Sequence, residues 1–191
     1  MKTEEMSSLV DKCLIATPAI KDPLFAASLV YLCEHSEEGS MGVVINHQTS
    51  QQLIDIFKQL DIECDDDSIN NKPVYIGGPV QLEQGFVLHN SSGENDWQKT
   101  VEVAAGIHLT SSLDILQAIA DRKGPSDYLV ILGFSGWASG QLESELQQNS
   151  WLTSTSSEEI LFHEDSDGKW QMAFDTLGFD LSMLSPVSGN A

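Results

Sequence analysis

The sequence predicts an α/β domain: a mixed parallel and antiparallel sheet with helices packed on its faces, with an α+β arrangement as the runner-up. Two observations carry this. Pairs of apolar, β-branched runs joined by short polar turns make hairpins, which are antiparallel. Elsewhere an apolar run meets glycines and then a helical spacing, which makes a strand-to-helix unit. A third observation sets the domain count. The 191 residues contain no repeat, no low-complexity block and no long linker, so they read as a single domain, residues 1–191. Its ordered core should cover roughly residues 10–184, between loose termini.

The elements follow in chain order. Cys13 to Thr17 is a short apolar strand closed by Pro18, and Lys21-Asp22-Pro23 is a turn. Ser28 to His35 and Met41 to His47 form a hairpin around Ser36-Glu37-Glu38-Gly39-Ser40. If that loop sets the register, Glu34 faces Gly42, while Tyr31, Cys33 and His35 share one face with Met41, Val43 and Ile45. Thr49-Ser50-Gln51-Gln52 has capping-box form, so a helix is expected from about Ser50 to Leu60. Asp61 to Lys72 reads as a solvated acidic connection; Asp66 and Lys72 stand where a calcium loop needs Gly and Glu.

Val74 to Gly77 and Gly85 to His89 are strands, separated by the Gly77-Gly78-Pro79 turn. A polar loop runs through Trp97 to the strands around Val101–Val103 and Ile107–Leu109. Ser111 and Ser112 open a helix through Ala120, which Gly124 and Pro125 stop. Asp127 to Leu132 is a strand. Gly133, Gly136 and Gly140 then bracket Trp137 in what reads as a tight loop before a helix from about Gln141 to Gln148. A short helix reaches Phe162, Asp165 to Gly168 is a turn, and a last helix carries Trp170, Ala173, Phe174 and Leu177. The tail Ser185 to Ala191 reads as loose.

Composition narrows the function. Twenty-nine acidic residues against nine basic ones give a formal charge of −20, a field that repels phosphate. Direct nucleic-acid binding needs a basic footprint, and no Lys/Arg cluster exists in the chain. No apolar run reaches the roughly 20 residues of a membrane span, and no signal core follows Lys2. Cys13, Cys33 and Cys64 are odd in number and show no C-x-x-C spacing. They read as reduced thiols in a soluble, cytoplasmic protein.

Three features could carry chemistry. Gly133-Phe134-Ser135 after a strand suggests a nucleophile elbow, but Trp137 stands where that motif needs glycine, so Ser135 reads as a hydroxyl bonded to local backbone. Glu34, His35, Asn46, His47 and His89 end strands and could converge on one rim, where a His beside a carboxylate does acid–base work or holds a metal. The histidines lack ligand spacing, and Cys33 and His35 stand about 7 Å apart along one strand, too far for a thiol and its base. The glycine stretch could cradle an anion at a helix start, but Glu143 and Glu145 oppose one.

Several segments together resemble the AlgH/YqgE family. They are Leu14 to Pro18 with Asp22 to Phe25, Val30 to His35, Gly39 to Asn46, Gly77 to Pro79, Gly85 to His89, Leu132-Gly133 with Trp137, Gly140 to Glu143, and Trp151-Leu152. The resemblance implies a compact cytosolic α/β domain and brings no established activity, cofactor or catalytic residue; some members are described as transcriptional regulators. Where relatives carry basic residues this chain has Ala26 and Ala27, and where their tails end Gly-His-Ala it has Gly189-Asn190-Ala191. Both departures weaken direct DNA contact. Relatives commonly have Ala at the position of Ser135.

The sequence therefore reads as a non-enzymatic regulatory or interaction protein that binds a protein partner or small molecule, as a monomer or weak homo-oligomer, without metal or cofactor. The expected rim comprises Glu34, His35, Asn46, Gly77, Gly78, Pro79, His89, Trp137 and Gly140. The alternatives are a hydrolase or transferase using His35 or His89 with Glu34, and a transcriptional regulator, for which direct DNA contact is the less favoured route.

Overall fold

A computed structural model describes residues 8–90 and 97–178. The strands are β1 (Lys12–Ala16), β2 (Leu29–Ser36), β3 (Gly39–Val44), β4 (Gln48–Gln52), β5 (Pro73–Ile76), β6 (Val80–Asn90), β7 (Thr100–Ala104), β8 (Ile107–Thr110), β9 (Tyr128–Ala138) and β10 (Trp151–Thr155). The helices are α1 (Leu53–Gln59), α2 (Asp67–Asn70), α3 (Asp114–Ala120), α4 (Gln141–Gln147), α5 (Glu158–Phe162) and α6 (Ser166–Asp175). The expectations for the loop between Asn90 and Trp97 and for the tail Ser185–Ala191 lie outside the described residues.

Strand periodicity builds three layers. Along β1, Cys13 and Ile15 face an inner core while Leu14 and Ala16 face an outer one, and β2 divides the same way between Leu29, Tyr31 and Val30, Leu32. The inner core collects residues from β1, β2, β3, β5, β6, β8 and β9, with Ile160 and Leu161 of α5 and Ala173 and Phe174 of α6 closing it. Helices α1 and α3 cover one stretch of the outer face through Leu53, Phe57, Ile115 and Ile119. Helix α4 covers the other through Leu142, against Trp137 and Trp151.

The strands lie in the order β10-β1-β2-β3-β9-β6-β8-β7, with β5 joined to β9 and β4 joined to β5. Strands from both halves of that order share the inner core, so the sheet curls around it. The α/β class holds, but the expected parallel and antiparallel mixture does not. Among the described residues every pairing is antiparallel except β5 with β9; β2–β3 and β7–β8 are tight hairpins, and the other antiparallel pairs join strands far apart in the chain or linked by longer connections.

The largest correction concerns the glycine stretch, which is strand and not loop. Strand β9 runs on through Ala138 and changes partners on the way: Val130 to Leu132 pair with β5 and β6, whereas Ser135 to Ala138 pair with β3. The change happens at Gly133, whose φ of +69° bends the strand. A Cβ there would stand 2.8 Å from the Gly78 carbonyl and 2.9 Å from that of Val80.

Other boundaries shift for local reasons. Thr49 does not cap a helix; its hydroxyl donates to the Val74 carbonyl at 3.0 Å and helps pin β4 to β5. Helix α1 starts later, where the Asp55 carboxylate accepts from the Gln52 N–H at 2.9 Å. The acidic connection contains the short helix α2, capped by Asp66, whose carboxylate accepts from the Ser68 N–H. Helix α6 begins inside the expected turn, since the Asp165 carboxylate caps it. Strand β10 was not expected, because Trp151 to Thr155 alternate too briefly to stand out.

Candidate functional site

The tip of the β2–β3 hairpin and strand β7 face each other across a recess of about 550 Å³. Its walls are Val10, Cys33 to Ser36, Glu38 to Met41, Glu102, Val103 and Trp137. Glu34, Glu38 and Glu102 are exposed there, and neither Lys nor Arg is among the lining residues. The recess is therefore acidic at its lip.

The hairpin geometry sets which side chains meet. Ser36 pairs with Gly39, so the turn is tighter than the sequence suggested, and a bulge lies between Leu32 and Glu34. Below the bulge Tyr31 opposes Val43; above it Glu34 opposes Met41, not Gly42, and His35 opposes Ser40. One extra residue reverses the alternation. His35 thus leaves the face of Tyr31 and Cys33 and turns toward α4, while Glu34 stands on the side of Met41.

The consequence is a polar chain across three elements. The Ser40 hydroxyl lies 2.9 Å from His35 Nδ1, and His35 Nε2 lies 3.6 Å from the Glu143 carboxylate of α4. The His35 side chain is 4% exposed and that of Glu143 is 32%. Glu34 is thus not the carboxylate partner of His35. Cys33 is not its thiol partner either: Cys33 Sγ donates to the Tyr31 carbonyl, and burial pushes its thiol far above the usual range.

Trp137 borders the recess, but its ring is turned into the outer core and is only 7% exposed. Its Nε1 donates to the Glu145 carboxylate at 3.0 Å, and Trp151 Nε1 donates to the same oxygen at 2.7 Å. The two rings meet edge to face at 5.9 Å. The indole expected to meet a ligand instead locks α4 to the sheet.

The remaining rim residues are not brought to this recess. Asn46 staples the chain, its Oδ1 accepting from the Leu29 N–H and its Nδ2 donating to the Ala27 carbonyl. Gly77 and Gly78 are buried where the β5–β6 connection crosses β9; a Cβ on either would lie 2.4 Å from β9 backbone atoms. The Ser135 hydroxyl, fully buried, donates to the Gly77 carbonyl at 2.9 Å, which gives it a structural role. Pro79 is exposed beside this crossing. Gly140, at φ +72°, lets the chain turn into α4.

His89 lies elsewhere again, 2% exposed, stacked on His108 at 5.5 Å and edge-on to Trp97 at 5.0 Å. Its Nδ1 donates to the Asn90 carbonyl, so its Nε2 accepts from the Thr110 hydroxyl. Burial holds it below the ordinary histidine value, with His108 adding to the effect. Among the described residues no three His, Cys, Asp or Glu side chains are grouped to hold a metal. No helix there is long and apolar enough to cross a membrane.

Two features escaped sequence reasoning. A second groove of about 570 Å³ runs between β4 and the end of α5, lined by polar residues such as Gln48 and Asn71 over Tyr75 and Tyr128. Behind Tyr75, Lys169 is wholly buried; its Nζ donates to the Ile45 carbonyl at 2.9 Å and sits 4.5 Å above the Tyr75 ring. Nothing in the residue pattern of α6 distinguishes this lysine from a solvated one.

The curled sheet, its helices and an acidic recess at the hairpin tip make up an α/β fold. The AlgH-like family model matches residues 13–182, and the chain belongs to that family. It is 44% identical over 185 residues to a UPF0301 protein of Thioalkalivibrio sulfidiphilus, covering 97% of this chain and 98% of that one. It is 47% identical over 178 residues to one of Nitrosospira multiformis, covering 93% and 95%. The solution structure of AlgH from Pseudomonas aeruginosa superposes with a TM-score of 0.79 at 38% identity, over the whole of both chains. A Corynebacterium diphtheriae protein, DIP2367, shares the fold at a TM-score of 0.73 and 19% identity, over 92% and 91%.

Proposed function

We propose that this chain is a non-enzymatic interaction protein of regulatory type, acting in the cytoplasm, whose recess between the β2–β3 hairpin and β7 receives a neutral or cationic group of a protein partner or small ligand. One observation carries the reading: three exposed carboxylates and the ordered Ser40–His35–Glu143 chain border a cavity whose lining, among the described residues, includes neither Lys nor Arg. The acidic lip favours cations and disfavours phosphate, which keeps direct nucleic-acid contact out of this reading. The test compares pull-downs and thermal-shift screens of the wild type with Glu34→Gln and His35→Ala. Partners or ligands that bind the variants as they bind the wild type place the site elsewhere.

A second reading, a hydrolase, draws on the same chain: a serine hydroxyl beside an imidazole that a carboxylate faces from the other side is the arrangement of an activated nucleophile. It differs from the sequence expectation of His35 or His89 with Glu34 in using Glu143 as the carboxylate and in adding Ser40. Labelling by a fluorophosphonate that disappears in Ser40→Ala supports it, and labelling no greater than that of the variant removes it.

A further inference from the structure

The sheet order leaves β7 at its end, paired only with β8 among the described residues. The hydrogen-bond phase of that pair decides which backbone groups remain open. The Ser111 N–H donates to the Lys99 carbonyl, so Lys99 and Ser111 form a hydrogen-bonded pair. Antiparallel pairs alternate, which makes Thr100 with Thr110 and Glu102 with His108 non-hydrogen-bonded. The 2.8 Å approach of the two threonine hydroxyls agrees, because side chains come closest at such pairs. The N–H and C=O of Thr100 and Glu102 therefore point away from β8, and Glu102 and Val103 form one wall of the acidic recess.

We infer that the edge of β7, unpaired among the described residues, is the docking site for an extended segment of a partner protein bearing Lys or Arg, which adds to the sheet as a further strand along the recess. Charge selects this occupant: the segment would pass Glu102 on one side and Glu34 and Glu38 on the other. A second copy of this chain fits poorly, since it would bring its own Glu102 to the same edge at a formal charge of −20 per chain. Val101, 54% exposed on the same strand, offers apolar surface to an alternating side chain. This inference rests on the recess being the binding site and adds the class of partner and the mode of contact.

The probe is an acetylated, fluorescein-labelled peptide alternating Lys and Val, titrated into the full chain by fluorescence anisotropy. Saturable binding should weaken at least about tenfold between 0.05 and 0.5 M salt, as exposed charge pairs are screened. Replacing Lys by Glu in the peptide should abolish it. N-methylating every second backbone amide should abolish binding in one phase and spare it in the other, because only one set of amides faces β7. Glu102→Pro removes the outward N–H without touching a β7–β8 bond and should lose binding at least about tenfold. Glu102→Gln should lose only a few-fold.

Equal binding by both N-methylated peptides overturns the inference, as does unchanged binding by a folded Glu102→Pro; if that variant does not fold, the methylated peptides decide alone. Weakening by Glu34→Gln with no effect of Glu102→Pro leaves the recess as the site and removes the strand addition. No effect of either variant removes both. Concentration-dependent dimerisation of the wild type that Glu102→Pro abolishes assigns the edge to a second copy and also overturns the inference.

Discussion

Lys169→Met should make this protein more stable, and the gain should depend on pH. The lysine is fully buried, its Nζ donates to the Ile45 carbonyl, and burial lowers its amine from the ordinary 10.5 to about 7. A depression of that size corresponds to about 5 kcal/mol against the charged form. Between pH 7 and 10.5 the unfolded chain holds a proton that the folded chain has released, so this group makes stability rise with pH through that window. Below about pH 7 both states are protonated and the folded state bears the full cost.

Methionine removes that cost but leaves the Ile45 carbonyl unpaired, at about 1–3 kcal/mol, and gives up the contact with the Tyr75 ring, worth roughly 0.5–2 kcal/mol. The net gain at pH 6 should be up to about 3 kcal/mol, which moves Tm up by as much as several degrees in a chain of this size. At pH 10 it should vanish or reverse. Urea unfolding of both proteins at pH 6, 8 and 10 measures this, and the buried thiols Cys13 and Cys33 cancel in the comparison because both proteins contain them. A variant that is less stable at pH 6, or a difference that stays constant from pH 6 to 10, refutes the account of Lys169 as an uncompensated buried amine.

Glu145→Gln should destabilise the fold by about 1–3 kcal/mol in urea and shift tryptophan emission to longer wavelength, because one carboxylate oxygen accepts from both Trp137 and Trp151. Gly133→Ala should cost more than Gly140→Ala: both glycines have positive φ, at roughly 1–2 kcal/mol for a Cβ, but only at Gly133 does the new carbon meet backbone. Equal losses in thermal unfolding would mean that the β9 crossing relaxes freely. Ser135→Ala should lose about 1–2 kcal/mol, the hydrogen bond to Gly77, and leave fluorophosphonate labelling unchanged; lost labelling would return Ser135 to catalysis.

Residue pattern alone determined several of the elements. The apolar runs Cys13–Thr17 and Ser28–His35 marked β1 and β2 as strands, and the helical spacing of Leu53, Ile56 and Phe57 marked the buried face of α1. The family was also legible, because its matching segments are spread along the chain in order. These are local or additive signals: an apolar run or a helical spacing is read from neighbouring residues before any partner is chosen.

Tertiary structure decided the site. A single bulge in β2 turned His35 from the Cys33 face to Glu143, a carboxylate far away in the chain. The bend at Gly133 turned an expected loop into a strand shared by two halves of the sheet, and so buried Trp137, Ser135, Gly77 and Gly78. Lys169 became a buried amine only because α6 closes the inner core above Tyr75. One residue of register, or one change of strand partner, reverses which way a side chain points without changing the local pattern, so residue spacing could not report it.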